Sequence, residues 1–426
     1  MVGLRFLPKL LKKAIHKGTL SLRGPDGESQ VIGGGEDGPD VAIHITDRKY
    51  DWKIALNPEL YTGEAYMDGH LIVESGDIYS LLELFFINKR NFDLTANQIY
   101  WKTIARKLRR FHQHNPITRA RSNVKHHYDL GNDLYRLFLD KDLQYSCAFY
   151  KEGGETLEEA QLLKKRHLAA KLDLKDGQKV LEIGCGWGGL SLYLSQIADV
   201  EVTAVTLSKD QIDIARKRAD ALGLGSRVKF EFLDYREVEG KFDRIISVGM
   251  LEHVGVGHLG EYFLNVRDRL TPDGLALIHS ISSKAPPGIT GPFLAKYIFP
   301  GGYSPSLSET YENVEKSGLW ALDMEIWRKH YGWTLREWRD RCLQNKDQII
   351  DMYDERFFRM WEFYLAACEG AFMYGASHVF QMQLSRSRSA VALSRDYIAA
   401  NFAAIKEREP QFLSKLAGAT DKAFEV

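Results

Sequence analysis

The chain has 426 residues, 44% hydrophobic and 27% charged, the composition of a soluble globular protein with room for two or three domains. Its 57 Lys+Arg balance 57 Asp+Glu, so total charge is silent about partners and only its distribution informs. Four cysteines, at 147, 185, 342 and 368, form no C-x-x-C pair and argue against a disulfide framework or a zinc site.

MVGLRFLPKLLKKAIHKG opens the chain. Leu4, Leu7, Leu10, Leu11 and Ile15 recur at helical spacing with Lys9, Lys12, Lys13 and Lys17 in the gaps, the pattern of a basic amphipathic helix. Such a helix either packs on its own domain or lies on a membrane surface. A Gly- and Asp-rich loop (24–40) leads to VAIHITD (41–47), which alternates like a half-buried strand. Residues 52–96 read as a small α+β unit ending in helix, and the N-terminal domain is expected to span 1–120. LLELFFI (81–87), the strongest apolar cluster, is too short to span a bilayer. No uninterrupted apolar region marks a signal peptide, so a reducing cytoplasm is expected.

Eight Lys/Arg and no acid fall between Asn97 and Tyr128. This stretch is either a solvated linker or a contact for lipid phosphates, where juxtaposed cations contribute roughly 1 kcal/mol each. No helix-turn-helix, zinc finger or RNA-binding signature accompanies the charge, so nucleic acid is not an expected partner.

From about residue 156 helices and strands alternate. Thr156 and Glu159 form a capping box. VLEIGCG, EVTAVTLS, VKFEFLD, FDRIISVGM and LALIHSI read as strands, mostly separated by helices, which predicts a doubly wound α/β fold with ligands at the carboxyl ends of the strands. Residues 284–305, with five Pro and four Gly, read as a lid or active-site loop. Thr334 and Glu337 read as a second capping box, opening long amphipathic helices to about 380. The expected division is a catalytic domain over 121–390 and a C-terminal tail over 391–426.

VLEIGCGWGGLSLYL (180–194) carries G-x-G-x-x-G at Gly184, Gly186 and Gly189. A dinucleotide site needs an acid at the end of the next strand for the ribose of NAD, but that strand ends Val205-Thr206-Leu207-Ser208. S-adenosylmethionine suits the residues better. Gly184 and Gly186 permit close backbone approach, and Glu182 can orient the loop. Asp234 is either a hydrogen-bond acceptor for the adenine amino group or an ordinary strand-end turn residue, with Tyr235 beside it to pack on the ring. Cys185 reads as a small residue in a tight loop rather than a nucleophile.

HHYDLGNDLYRLFLDKDLQYSCAFY (126–150), LEIGCGWGGLSLYL, VTLSKDQ (205–211), GMLEHVG (249–255), LIHSI (277–281) and KHYGWTL (329–335) occur in order, and together they resemble the cyclopropane-fatty-acyl-phospholipid synthases, within the cyclopropane and mycolic acid synthase family. The resemblance runs from about residue 60 to 385. It implies a Rossmann-like class I methyltransferase domain behind a smaller N-terminal α+β domain. It implies transfer of a methylene unit from S-adenosylmethionine to the double bond of an unsaturated acyl chain in a phospholipid bilayer. The alkene takes the methyl, and the resulting cation loses a proton and closes the ring. The methyl must be held within ~3–3.5 Å of the double bond, the cation shielded from water, and a base supplied. The family's base is a bound bicarbonate, and the matching positions here are Cys147, Glu252, His279, Tyr331 and the backbone near Ile281. The cofactor positions are Tyr145, Ser146, Gly184, Gly186, Thr206, Leu207, Gln211, Asp234 and Tyr235, with Gly249 a further candidate. Tyr297, Phe299 and Tyr303 are expected to face the acyl chain. A homodimer, peripheral on the inner face of the membrane, completes the expectation. Its rivals are a fatty-acyl methyltransferase giving a branched or methylene product and a small-amine N-methyltransferase.

Overall fold

The computed structural model describes residues 4–89 and 130–425. The basic stretch 97–128 and the boundary near residue 120 lie outside the described residues. The chain divides into two compact units that are not consecutive in sequence: among the described residues, 4–89, 289–300 and 335–376 form one, and 130–288, 301–334 and 377–425 the other.

In the first unit, β1 (Lys17–Arg23), β2 (Ser29–Gly33), β3 (Glu36–Ile45) and β4 (Leu71–Ser75) form a sheet of order β2-β1-β3-β4. β1 and β3 run parallel and the other pairs antiparallel. The helices are α1 (Phe6–Ala14), α2 (Lys49–Leu56), α3 (Pro58–Met67) and α4 (Ile78–Ile87). The apolar side of α1 faces inward: Leu4, Leu7, Leu11 and Ile15 are buried in one core with Leu20, Ile43, Ile54 and Leu81. Each such side chain contributes about 1.5–3 kcal/mol by leaving water, so the amphipathic pattern is used for packing. The Asp51 carboxylate on α2 accepts the N–H groups of Arg5, Phe6 and Leu7 at 2.8–3.1 Å, satisfying donors at the start of α1 that the helix itself leaves open. The helix Glu355–Met373 supplies Phe363 and Ala366 to the same core, and the short helix Pro292–Tyr297 supplies Phe293.

The second unit is built on β5 (Lys179–Ile183), β6 (Glu201–Thr206), β7 (Val228–Phe232), β8 (Phe242–Val248), β9 (Leu270–Ser283), β10 (Trp320–Trp327) and β11 (Ser377–Ser385), in the order β10-β11-β9-β8-β5-β6-β7. β5 to β9 are parallel, while β10 and β11 pair antiparallel at one edge. Helices cover both faces, giving two apolar cores, one around Leu168, Leu192 and Ile212 and the other around Tyr262, Phe263 and Val314. This is the expected doubly wound α/β fold, extended by two strands. The Thr156–Glu159 capping box is present in both directions. The second one is not: the helix begins at His330, and Thr334 lies a turn inside it, donating to the His330 carbonyl at 2.8 Å and accepting Ala148 N–H at 3.0 Å. The helices Asp396–Arg408 and Leu413–Phe424 pack into the unit instead of forming a tail. Phe412 and Leu416 are core residues, and Glu409 is buried between Arg166 and the Tyr193 hydroxyl. No helix among the described residues is long and apolar enough to cross a membrane.

Candidate active site

β5 is buried along its apolar residues and ends in the glycine loop. Gly184 and Gly186 have φ of +84° and +53°, the left-handed region that side chains resist. This lets the Gly184 and Cys185 N–H groups fold back onto the Val205 carbonyl at 2.9 and 3.1 Å. Gly189 opens the following helix, and a Cβ there would lie 2.5 Å from Asp142 Oδ2 and Gln144 Nε2. The loop must therefore stay slim for the segment 142–146 to lie against it.

Between loop and segment is a cavity. Tyr145, Ser146, Gly184, Gly186, Thr206, Leu207, Gln211, Tyr235 and Gly249 all line it, so eight of the nine expected cofactor residues meet there. Asp234 does not line it. Its carboxylate is held by Arg236, Nε to Oδ1 and a terminal nitrogen to Oδ2, both at 2.8 Å, and caps the short turn Tyr235–Glu237. A strand-end carboxylate followed two residues later by arginine closes on its neighbour, so Asp234 holds this turn. Gln144, Glu182, Trp187 and His253 also line the cavity. Trp187 donates to Asn132 at 2.8 Å, and Tyr135 packs on both Trp187 and Tyr145, so the short helix Asn132–Phe138 fixes two rings of the wall.

The lining combines a buried carboxyl, aromatic rings and a lysine-braced wall. Glu182 is buried against Ser191, and burial lifts its carboxyl to about 8. The rings of Tyr145, Trp187 and Tyr235 offer π-faces to a cation. Behind the wall, Lys164 Nζ donates to Gln144 Oε1 and Ser146 Oγ, each at 2.7 Å. Burial lowers this ammonium to about 8. Its neighbour Asp142 is also buried, but Lys165 and Arg218 outweigh that and hold its carboxyl down at about 2.

Of the second group of expected residues, Glu252 and His279 lie towards the carboxyl ends of β8 and β9. Glu252 sits in the turn after β8 and His279 on β9, and the His279 carbonyl accepts the Gly249 N–H at 2.9 Å on the cavity rim. Glu252 Oε1 accepts the Ile281 N–H at 2.6 Å. That N–H, expected to serve an anion, is thus engaged by the carboxyl. Glu252 Oε2 is buried and has no hydrogen-bond partner among the described residues. Burial raises the Glu252 carboxyl to about 7, with the Ile281 N–H pulling the other way. His279 is held well below its ordinary value, first by burial and then by Lys164, so its ring is neutral. Its Nδ1 lies 3.1 Å from Gln381 Nε2, and Trp327 stands edge-on to it at 5.3 Å. Cys147 is buried, which raises its thiol, and its Sγ is 3.3 Å from the Ala148 carbonyl. Tyr331 is half-buried in the first turn of its helix. The Ala148–Thr334 bond and a second, Tyr150 N–H to His330 Nδ1 at 3.2 Å, clamp the Cys147 segment onto that turn. The charge of Lys164 is felt at Cys147, Glu182 and His279 alike, a common electrostatic neighbour of both groups.

Gln381, Trp327, Lys164 and His330 were not singled out by the sequence reading, and Thr334 was read only as a helix cap. His330 and Thr334 lay inside the quoted KHYGWTL motif, which was the available signal. Of the three aromatic residues expected on an acyl chain, Tyr303 is buried and donates to Glu309 at 2.6 Å, Tyr297 donates to Glu64 at 3.0 Å, and Phe299 packs edge-on against Tyr364.

The sequence model of the family described as mycolic acid cyclopropane synthetase matches residues 115–382. The chain belongs to this family. It is an S-adenosylmethionine-dependent methyltransferase by family and by fold. A second model, Domain of unknown function (DUF7884), matches residues 6–97. The chain is 37% identical over 350 residues to the cyclopropane-fatty-acyl-phospholipid synthase of Escherichia coli K12, covering 81% of this chain and 87% of that one. It is 37% identical over 280 residues to the tuberculostearic acid methyltransferase UfaA1 of Mycobacterium tuberculosis, covering 63% and 65%. Among solved structures it resembles the mycolic acid cyclopropane synthase CmaA1 complexed with SAH and CTAB, with a TM-score of 0.59 at 30% identity, covering 64% of this chain and 99% of that one.

Proposed function

We propose that this enzyme moves a methylene unit from S-adenosylmethionine onto the cis double bond of an unsaturated acyl chain in a membrane phospholipid, forming a cyclopropane ring, with bicarbonate as the base. The observation that carries the reading is Glu252. One carboxyl oxygen is fixed by Ile281 N–H and the other is buried, in the turn that also brings Gly249, Met250 and His253 to the cofactor cavity.

The chemistry of the group suits bicarbonate: His279 would offer an N–H, Cys147 an S–H if it turned from the Ala148 carbonyl, and Tyr331 a phenol, while Glu252 Oε2 would accept the anion's own O–H. Bound there, bicarbonate would supply a base for a proton leaving carbon. The cofactor supplies an electrophilic methyl, and the Gly184–Gly186 loop, Gln211, Thr206 and the Tyr145 and Tyr235 rings would hold it. Water is kept out because Cys147, Glu252 and His279 are all more than nine-tenths buried. Peripheral attachment to the bilayer and a homodimer belong to the same proposal.

A second reading, a methyl-branched product, has support of its own: the chain is also 37% identical to a tuberculostearic acid methyltransferase, over 280 residues against the 350 matched to the cyclopropane synthase. Mass spectrometry of fatty acid methyl esters from cells expressing the protein with methyl-labelled methionine decides. With trideuteromethyl methionine, a gain of 16 mass units, a CD2 unit with two deuteriums kept, together with loss of the double bond means ring closure. Three labelled hydrogens kept means a methyl branch. No gain overturns a lipid substrate.

A further inference from the structure

The apolar side of α1 is spent on the domain core, so if this unit meets a membrane it does so with another surface. The structure shows one. On α2, Lys49, Trp52, Lys53 and Leu56 fall at helix positions i, i+3, i+4 and i+7, a single stripe. Trp52 is 49% exposed and Leu56 60% exposed, although both are large and apolar. The Asp51 cap ties the start of α1 to α2, and Phe6, 54% exposed, leads a row with Lys9 and Lys13 on the outer side of α1. Arg5 lies over the Phe6 ring at 6.0 Å, and Lys53 lies 5.6 Å from the Tyr50 ring and 5.3 Å from that of Tyr61.

We infer that this α1–α2 face is where the protein docks on an anionic lipid bilayer. The inference rests on the proposed lipid substrate and specifies the surface used. Aromatic and aliphatic tips flanked by long cations are the composition of an interfacial anchor: the rings sit at headgroup depth while the ammonium groups remain with the phosphates. Lys49 is paired with Asp47, whereas Arg5, Lys9, Lys13 and Lys53 make no ion pair among the described residues. A second copy of the chain is a poorer occupant. An isologous contact would set this cationic stripe against itself, and like charges facing across an interface oppose association.

The test uses the full chain and vesicles of phosphatidylglycerol with phosphatidylethanolamine, compared with phosphatidylcholine. The wild type is expected to co-sediment with the anionic vesicles, less so at high salt. Phe6→Ser/Trp52→Ser/Leu56→Ser is expected to weaken that binding at least tenfold, with unchanged S-adenosylmethionine affinity and unchanged melting. Lys9→Glu/Lys13→Glu/Lys53→Glu is expected to remove most of the salt-dependent part. Wild-type protein that ignores all vesicles would overturn the membrane reading itself. Wild type that binds while both variants bind equally well would overturn only this face. A variant that changes oligomeric state in ultracentrifugation with vesicle binding intact would assign the face to a second copy.

Discussion

His279 Nδ1 and Gln381 Nε2 stand 3.1 Å apart, directly opposite one another in the antiparallel β9–β11 pair and sealed from solvent. With the Gln381 amide donating to Nδ1, the neutral ring carries its proton on Nε2, so it presents a donor and not an acceptor. Gln381→Leu removes that constraint at nearly constant volume. Turnover is expected to fall about tenfold, the cost of one buried hydrogen bond, while cofactor affinity stays unchanged. Nitrogen NMR of the ring should show loss of the single tautomer. A variant that keeps both turnover and tautomer would remove Gln381 from the positioning of His279.

Direct removal of the base-site groups should separate chemistry from binding. His279→Ala and Glu252→Gln are expected to cripple turnover while cofactor affinity, measured by calorimetry, stays within a few fold. Neither Glu252 nor His279 lines the cavity, whose nearest lining residues are Gly249, Met250 and His253. Loss of cofactor binding in either variant would move that residue out of the base site.

Glu252 also makes a stability prediction with a definite sign. Its carboxyl is raised from the ordinary 4.5 to about 7 by burial, so the folded state holds a proton that the unfolded chain has released. Stability from this group is therefore full below pH 4.5 and lost as pH rises through 7. The gap corresponds to on the order of 3 kcal/mol at pH 8. Glu252→Gln keeps an acceptor for the Ile281 N–H but cannot ionise. Denaturation midpoints should show the variant more stable than wild type at pH 8 and nearly equal at pH 5. Parallel curves across that range would mean that the wild-type carboxyl ionises without cost.

The parallel strands and the glycine loop were legible because β5, β6 and β8 are short apolar runs between helical patterns, and a left-handed turn after β5 needs glycine. β11 was not legible. It is buried on both faces, yet it carries Gln381 and Gln383, whose amides find His279, the Lys171 carbonyl and the Tyr397 hydroxyl only after folding. Buried polar residues satisfied at long range erase the apolar signal that marks a central strand. Thr334 misled for the opposite reason: its local spacing to Glu337 imitates a cap, but the hydroxyl is taken by His330 and by the distant Ala148. Cofactor residues were readable one motif at a time, whereas Lys164 was hidden among the charges of an ordinary helix.

Lys164 is the buried cation that ties both halves of the site together. It donates to Gln144 and Ser146, which line the cavity, and Asp140, Asp142, Glu182, Cys147, His279 and Lys165 lie within its electrostatic reach. Lys164→Met preserves length and removes both the donor and the charge. Two half-buried acceptors then lose their partner at a cost of about 1 kcal/mol, and the wall segment loosens. Cofactor affinity is expected to fall at least tenfold in calorimetry. The loss should be steeper for turnover, because a cation that adds to burial in keeping His279 neutral, and that would assist an anion nearby, is gone. Lys164→Arg should restore charge but not the fork to Gln144 and Ser146, recovering turnover only in part. Equal affinity and turnover in Lys164→Met would reduce Lys164 to a packing residue of the helix Leu157–Leu172.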